Sequence, residues 1–181
     1  MNCLDASTAI ASEDDYDWTT PCRSRVVGCA APEDVIFAEF ADLNRDVYDE
    51  KYSSPLGMYS MHCGLENVLL TWSGPEYLFY MLKHNEVDLP VEGFSVLRLF
   101  PLYDWHTKNL YKNLANEDDE DTLSFVVGFD RIRRSVRQDT LKKHKLGQEL
   151  LSEEECDKLW HSYYAGIASK FNAGPDRLLH W

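Results

Sequence analysis

The side chains able to hold a metal or move a proton are few and scattered. Six histidines stand at positions 62, 84, 106, 144, 161 and 180. A helical metal site wants two imidazoles about one turn apart, on one face. No H-x-x-H or H-E-x-x-H pair occurs. His62 and Cys63 adjoin, but neighbours on a helix point about 100° apart and rarely share one ion. His106, beside Trp105, suits a hydrogen-bonded packing role or that of a base. The five cysteines (Cys3, Cys22, Cys29, Cys63, Cys156) are odd in number and widely spaced, with no C-x-x-C pair. That pattern suits reduced structural thiols in a cytosol rather than a zinc site or a disulfide framework. A G-x-S-x-G elbow is absent, and so are the glycine loops that cradle phosphates.

Charge is a clearer signal. Seven of the 18 Lys and Arg fall between Arg131 and Lys145: Arg131, Arg133, Arg134, Arg137, Lys142, Lys143 and Lys145. They form either a solvated face or a docking surface for an acidic partner or a phosphorylated ligand, a protein partner being the expected one. Glu117 to Asp121 is an unbroken acidic run, expected as a solvated loop.

The elements around these groups read as helical. Tyr59 to Trp72 carries Met61, Leu65, Val68, Leu69 and Trp72 at three- and four-residue steps, which predicts a helix. Ser73-Gly74-Pro75-Glu76 breaks it and opens another, with Tyr77, Leu78, Met81 and Leu82 as its buried face. Phe94, Leu97 and Phe100 continue as a third, stopped near Pro101. Asp104 to Leu114 suits a short helix, and Leu123 to Val136 a longer one with Phe125, Phe129 and Ile132 in step. Ser152 with Glu155 matches a capping box. It opens a stripe through Leu159, Trp160, Tyr163, Tyr164, Ile167 and Phe171. Pro32-Glu33-Asp34 suits a helix start, and 44–55 a charged loop. Few alternating patterns occur, so the expected fold is an all-α globule.

The 181 residues suffice for one domain with a sizeable core, and 44% are apolar. The net charge of -13 argues against non-specific binding to nucleic acid or anionic membranes. No apolar run approaches the ~20 residues of a membrane span. The acidic start lacks the basic n-region of a signal peptide, which predicts a cytoplasmic protein. Residues 1–20 are polar and expected to be mobile; residues 21–181 form the domain.

Ordered blocks carry more than composition does. Leu56 to Trp72, L-G-M-Y-S-M-H-C-G-L-E-N-V-L-L-T-W, resembles the myo-inositol oxygenase family, whose segment reads L-G-M-Y-x-x-H-C-G-L-D-x-V-L-x-x-W. Pro75-Glu76-Tyr77 is similar to the family's D-E-Y. R-L-F-P-L-Y-D-W-H-T, Arg98 to Thr107, looks like its R-F-H-S-F-Y-P-W-H-T. Asp157-Lys158-Leu159, Tyr163-Tyr164 and the closing L-H-W continue the match. The resemblance spans nearly the whole chain, with an apparent insertion around 135–150. It implies a helical HD-type fold, here truncated at the N-terminus. It also implies the oxidation of myo-inositol by O₂ to D-glucuronate at two non-haem irons held by four histidines and two aspartates.

The matching ligand positions are mostly lost. The register puts the first ligand histidine before Met1. The family's H-D-L-G-K falls on Leu4-Asp5 and ends on Thr8, so Asp5 alone survives. Gly74 stands for the third histidine, Phe100 for the fourth and Arg133 for the last aspartate. Among the substrate positions, Gly-Asp becomes Cys22-Arg23, a serine becomes Pro101 and a lysine becomes Thr8. No catalytic residue and no cofactor are therefore expected, and a polyol is not an expected partner. The favoured reading is a non-catalytic structural, regulatory or assembly homologue. Two others stay open: an active oxygenase with replacement ligands such as Asp130, His62 and His106, and a truncated product without function.

Overall fold

The computed structural model describes residues 24–31, 42–145 and 151–180. Their architecture is helical, with a two-stranded antiparallel ribbon as the only sheet among them. Strand β1 (Val26–Val27) pairs with β2 (Leu69–Leu70), Val26 opposite Leu70. Single turns at Arg45–Tyr48 and α1 (Glu50–Ser53) fill the region expected as a loop. Then follow α2 (Gly74–His84), α3 (Val91–Leu99), α4 (Tyr103–His106) and the long α5 (Glu117–Lys145). The chain closes with α6 (Glu153–Leu159), a wide π-type turn at Trp160–Tyr164 and α7 (Ala165–Lys170), one continuous helical rod. The core gathers Val26, Leu65, Val68, Leu99, Leu102, Trp105, Leu114 and Val126 from ribbon, loops, α3, α4 and α5.

Two expected elements differ most, and of the helix expected over 104–114 only the start is formed, as α4. Tyr59 to Trp72 is not a helix but turns, one short 3₁₀ turn at Leu65–Asn67 and strand β2. His62 (φ 54°) and Gly64 (φ 87°) adopt left-handed backbone that a helix cannot hold. The carbonyls of Leu65, Glu66 and Val68 are instead taken by the Arg98 guanidinium, at 2.8 to 3.0 Å. The same guanidinium grips both carboxylate oxygens of Glu76, at 2.9 and 3.0 Å. All five of its N–H donors are thus used, in a site where both side chains are almost fully buried.

That clamp also sets the rotation of α2. Glu76 is drawn inward with Phe79 and Met81, while Tyr77 and Leu78, expected inside, are exposed. Ser73 caps the helix by accepting from the Glu76 backbone N–H.

The acidic run is the second difference. It is the first turn of α5 rather than a loop. Asn116 accepts from the Asp119 N–H at 3.0 Å, and Asp119 accepts from the Asn116 N–H at 2.9 Å. This reciprocal cap, with acids at the positive end of the helix dipole, makes the run a helix start. Asp119 also accepts from the Leu65 N–H at 2.8 Å, tying α5 to the turns. At its other end α5 runs through the expected insertion to Lys145. Its inward face is Val126 and Asp130, not the Phe125, Phe129 and Ile132 stripe, which is exposed. The capping box at Ser152 and Glu155 is present in both directions, and its hydrogen bonds hold the Glu155 carboxyl below its ordinary range. The Pro32 helix start lies outside the described residues.

Candidate functional site

The end of α3, the whole of α4 and the middle of α5 bring the chemically suggestive residues together. Pro101 stops α3 and turns the chain, so that Phe100 and Tyr103 face α5. Phe100 packs edge-on against Phe129, with ring centroids 5.2 Å apart. The Arg133 guanidinium lies over the Phe100 ring at 5.4 Å and near the Tyr103 ring at 6.0 Å. The Tyr103 hydroxyl donates to Asp130 Oδ1 at 3.3 Å, and Arg133 donates to that hydroxyl.

Asp130 is the buried hub. Arg133 Nη2 reaches its Oδ1 at 3.2 Å and Arg134 Nε its Oδ2 at 2.6 Å. Two cations on one helix, three and four residues along, thus neutralise a carboxylate. The Arg133 Nε is buried and has no hydrogen-bond partner among the described residues. Burial pushes the Tyr103 hydroxyl up to about 12, with the neighbouring arginines opposing the shift. Burial also lowers the His106 imidazole from its ordinary value, although its Nε2 lies 2.9 Å from the Phe100 carbonyl.

Ser24 links this wall to the start of α2. Its backbone N–H donates to the Pro101 carbonyl at 2.9 Å, and its hydroxyl meets Ser73 Oγ at 3.3 Å. Gly74 therefore opens α2 next to a serine that shares a hydrogen-bonding partner with Pro101. No simple pattern signals Ser24 in the sequence; its role comes from contacts far along the chain.

The expected positions can now be placed. Phe100, Pro101 and Arg133 share one wall, and Gly74 begins the adjoining helix. Leu4, Asp5, Thr8, Cys22 and Arg23 lie outside the described residues. His62 does not join Asp130 and His106 in a ligand set: its Nδ1 lies 2.8 Å from the Ala115 carbonyl. Among the described residues no three His, Cys, Asp or Glu side chains converge as a metal site. Of the basic segment, Arg134 is committed to Asp130 and lies over Tyr103 at 5.7 Å. Arg131 and Lys142 are exposed and Arg137 is half-buried. The side chains of Lys143 and Lys145 lie outside the described set.

Residues 9–173 match the family described as Myo-inositol oxygenase. The chain belongs to the myo-inositol oxygenase family. It is 39% identical to the inositol oxygenase of Rattus norvegicus over 166 residues, covering 91% of this chain and 52% of that protein. It is 31% identical to that of Homo sapiens over 179 residues, 98% of this chain and 57% of the human protein. Inositol oxygenase 1 of Arabidopsis thaliana matches at 31% over 114 residues, 63% of this chain and 37% of that protein. The chain thus spans about half the length of its first mammalian relatives.

The donor chemistry at the family positions can be tested against the residues present. Gly74 offers no side chain, Phe100 a hydrocarbon ring, and Arg133 a cation with no lone pair to give. The nearby carboxylate, Asp130, is already held by two guanidiniums. These residues do not fit a di-iron centre, in which imidazole and carboxylate donors must surround the metal.

Proposed function

We propose that this chain is a non-catalytic member of the inositol oxygenase family, retained as a binding component rather than as an oxygenase. The observation that carries the reading is Arg133. Its fixed positive charge stands where the family register calls for a ligand aspartate, and it pairs with Asp130 and Tyr103 over the Phe100 ring. A cation held there repels a second cation, and the hydrocarbon wall beside it has no nitrogen to offer. The docking surface in this reading is the basic half of α5, through Arg131, Arg137 and Lys142, and its partner is an acidic protein segment.

The test is turnover. Folded protein supplied with ferrous iron, a reductant, O₂ and myo-inositol should form no D-glucuronate, while a full-length family oxygenase in the same assay does. Glucuronate formed in proportion to this chain would overturn the reading.

A further inference from the structure

Two apolar stripes on this chain are uncovered. On α5, Phe125, Phe129, Ile132 and Val136 are 40 to 64% exposed. Their spacing of four, three and four residues puts them on one face, to the side of the buried Val126 and Asp130. On the C-terminal rod, every residue from Leu151 to Tyr164 is exposed. Leu159, Trp160, Tyr163 and Tyr164 form its stripe there. Among the described residues the hydrogen bonds that fasten the rod lie near its end, where the Asp88 N–H donates to the Phe171 carbonyl and Asn85 exchanges hydrogen bonds with His180.

The stripes are complementary in length and in charge. The α5 stripe spans 125–136, and the rod's apolar positions run from Cys156 to Ile167; each covers about 16 Å at 1.5 Å per residue. Beyond its stripe α5 ends in the basic segment, where Asp139 is the one acid. Before its stripe the rod opens with Glu153, Glu154, Glu155 and Asp157. The rod closes on Lys170, and α5 opens on Glu117 to Asp121. An antiparallel pairing of the two helices therefore sets opposite charges together at both ends. Eight half-exposed large side chains present on the order of 800 Å² per copy, the amount a standard interface takes from each partner.

We infer that two copies of this chain form a twofold dimer in which the α5 stripe of each receives the C-terminal rod of the other. Twofold symmetry satisfies both stripes at once and closes the assembly. The inference rests on the docking role given above to the basic half of α5, and it names a second copy as the acidic partner. It does not depend on iron, so turnover and association fail independently.

Sedimentation velocity of the full chain over a wide concentration range tests it. The expected result is a monomer–dimer equilibrium that Ile132→Glu or Val136→Glu weakens on the order of tenfold or more. Both sites are exposed, so the circular dichroism spectrum should be unchanged in either variant, and so should melting at concentrations where the chain is monomeric. Charge reversal separates trans from cis docking. Arg137→Glu with Lys142→Glu in one chain, or Glu153→Lys with Glu154→Lys in another, should each weaken the dimer; Glu155 is spared because it caps its helix. Mixing the two reversed chains should restore association as a heterodimer. A monomer at every concentration, a dimer indifferent to the stripe variants, or rescue only when both reversals sit in one chain would overturn the proposal. The last outcome would mean that the rod folds back on its own α5.

Discussion

Two arginine clusters organise this molecule, and they differ in how deeply their charges are buried. Arg98 and Glu76 are each about 3% exposed, and the guanidinium spends all five donors on two carboxylate oxygens and three backbone carbonyls. Arg133 and Arg134 both pair with the carboxylate of Asp130, their side chains are 30% and 44% exposed, and among the described residues the Arg133 Nε has no hydrogen-bond partner. A buried charge is tolerable only when fully paired, so the first cluster is part of the fold. The second includes Arg133, for which the family resemblance implies a ligand aspartate. Its partly solvent-exposed pairing is compatible with the non-catalytic reading proposed above.

The sharpest way to break the contrast is at Arg98. Arg98→Met should destabilise the chain by about 3–5 kcal/mol in urea unfolding, because Glu76 is left buried and unpaired. Arg98→Met with Glu76→Leu should recover only part of that loss, since the carbonyls of Leu65, Glu66 and Val68 still lack donors. Complete recovery would show that the backbone contacts contribute little. Asp119→Ala comes next, at about 1–3 kcal/mol, through the lost cap of α5 and the orphaned Leu65 N–H. Arg133→Met should cost about 1 kcal/mol or less, because Arg134 still holds Asp130 and solvent screens the pair. A loss at Arg133 as large as that at Arg98 would erase the distinction between the clusters.

The smallest effect concerns pH. The Tyr103 and Tyr111 hydroxyls are pushed from 10 up to about 12, chiefly by burial. The unfolded chain loses these protons first, so their stability contribution is full below about pH 10 and falls as pH rises towards 12. Tyr103→Phe should flatten part of that alkaline loss in melts taken across this range. An unchanged alkaline slope in both Tyr103→Phe and Tyr111→Phe would contradict the burial argument.

Much of the fold was legible in the sequence. The stop at Pro101, the capping box at Ser152 and Glu155 and the blocks shared with the family all hold. The failures have identifiable causes. The apolar spacing of Tyr59 to Trp72 is helical, but Arg98, far along the chain, captures the carbonyls that a helix would need. The acidic run was capped by Asn116 and Asp119, a local signal weaker to the eye than five consecutive acids. The stripe of α5 was visible as periodicity, yet its periodicity does not say which face meets the core; Asp130 and Val126 do. At the candidate site, Gly74, Phe100 and Arg133 are expected at ligand positions from the register alone, and the iron content of the chain tests that alignment. Ser24 and the Asp130 hub depend on contacts that exist only in three dimensions.

The most direct test of the central claim is iron content per chain. The protein, purified without chelator, would be reconstituted with ferrous iron under reducing conditions, desalted and analysed for metal, with a cooperative melt confirming that it is folded. Iron no higher than on a protein with no metal site is the result expected if Arg133 and Phe100 have replaced the ligands. Close to two irons per folded chain would contradict that account and require a set of donors other than Gly74, Phe100 and Arg133.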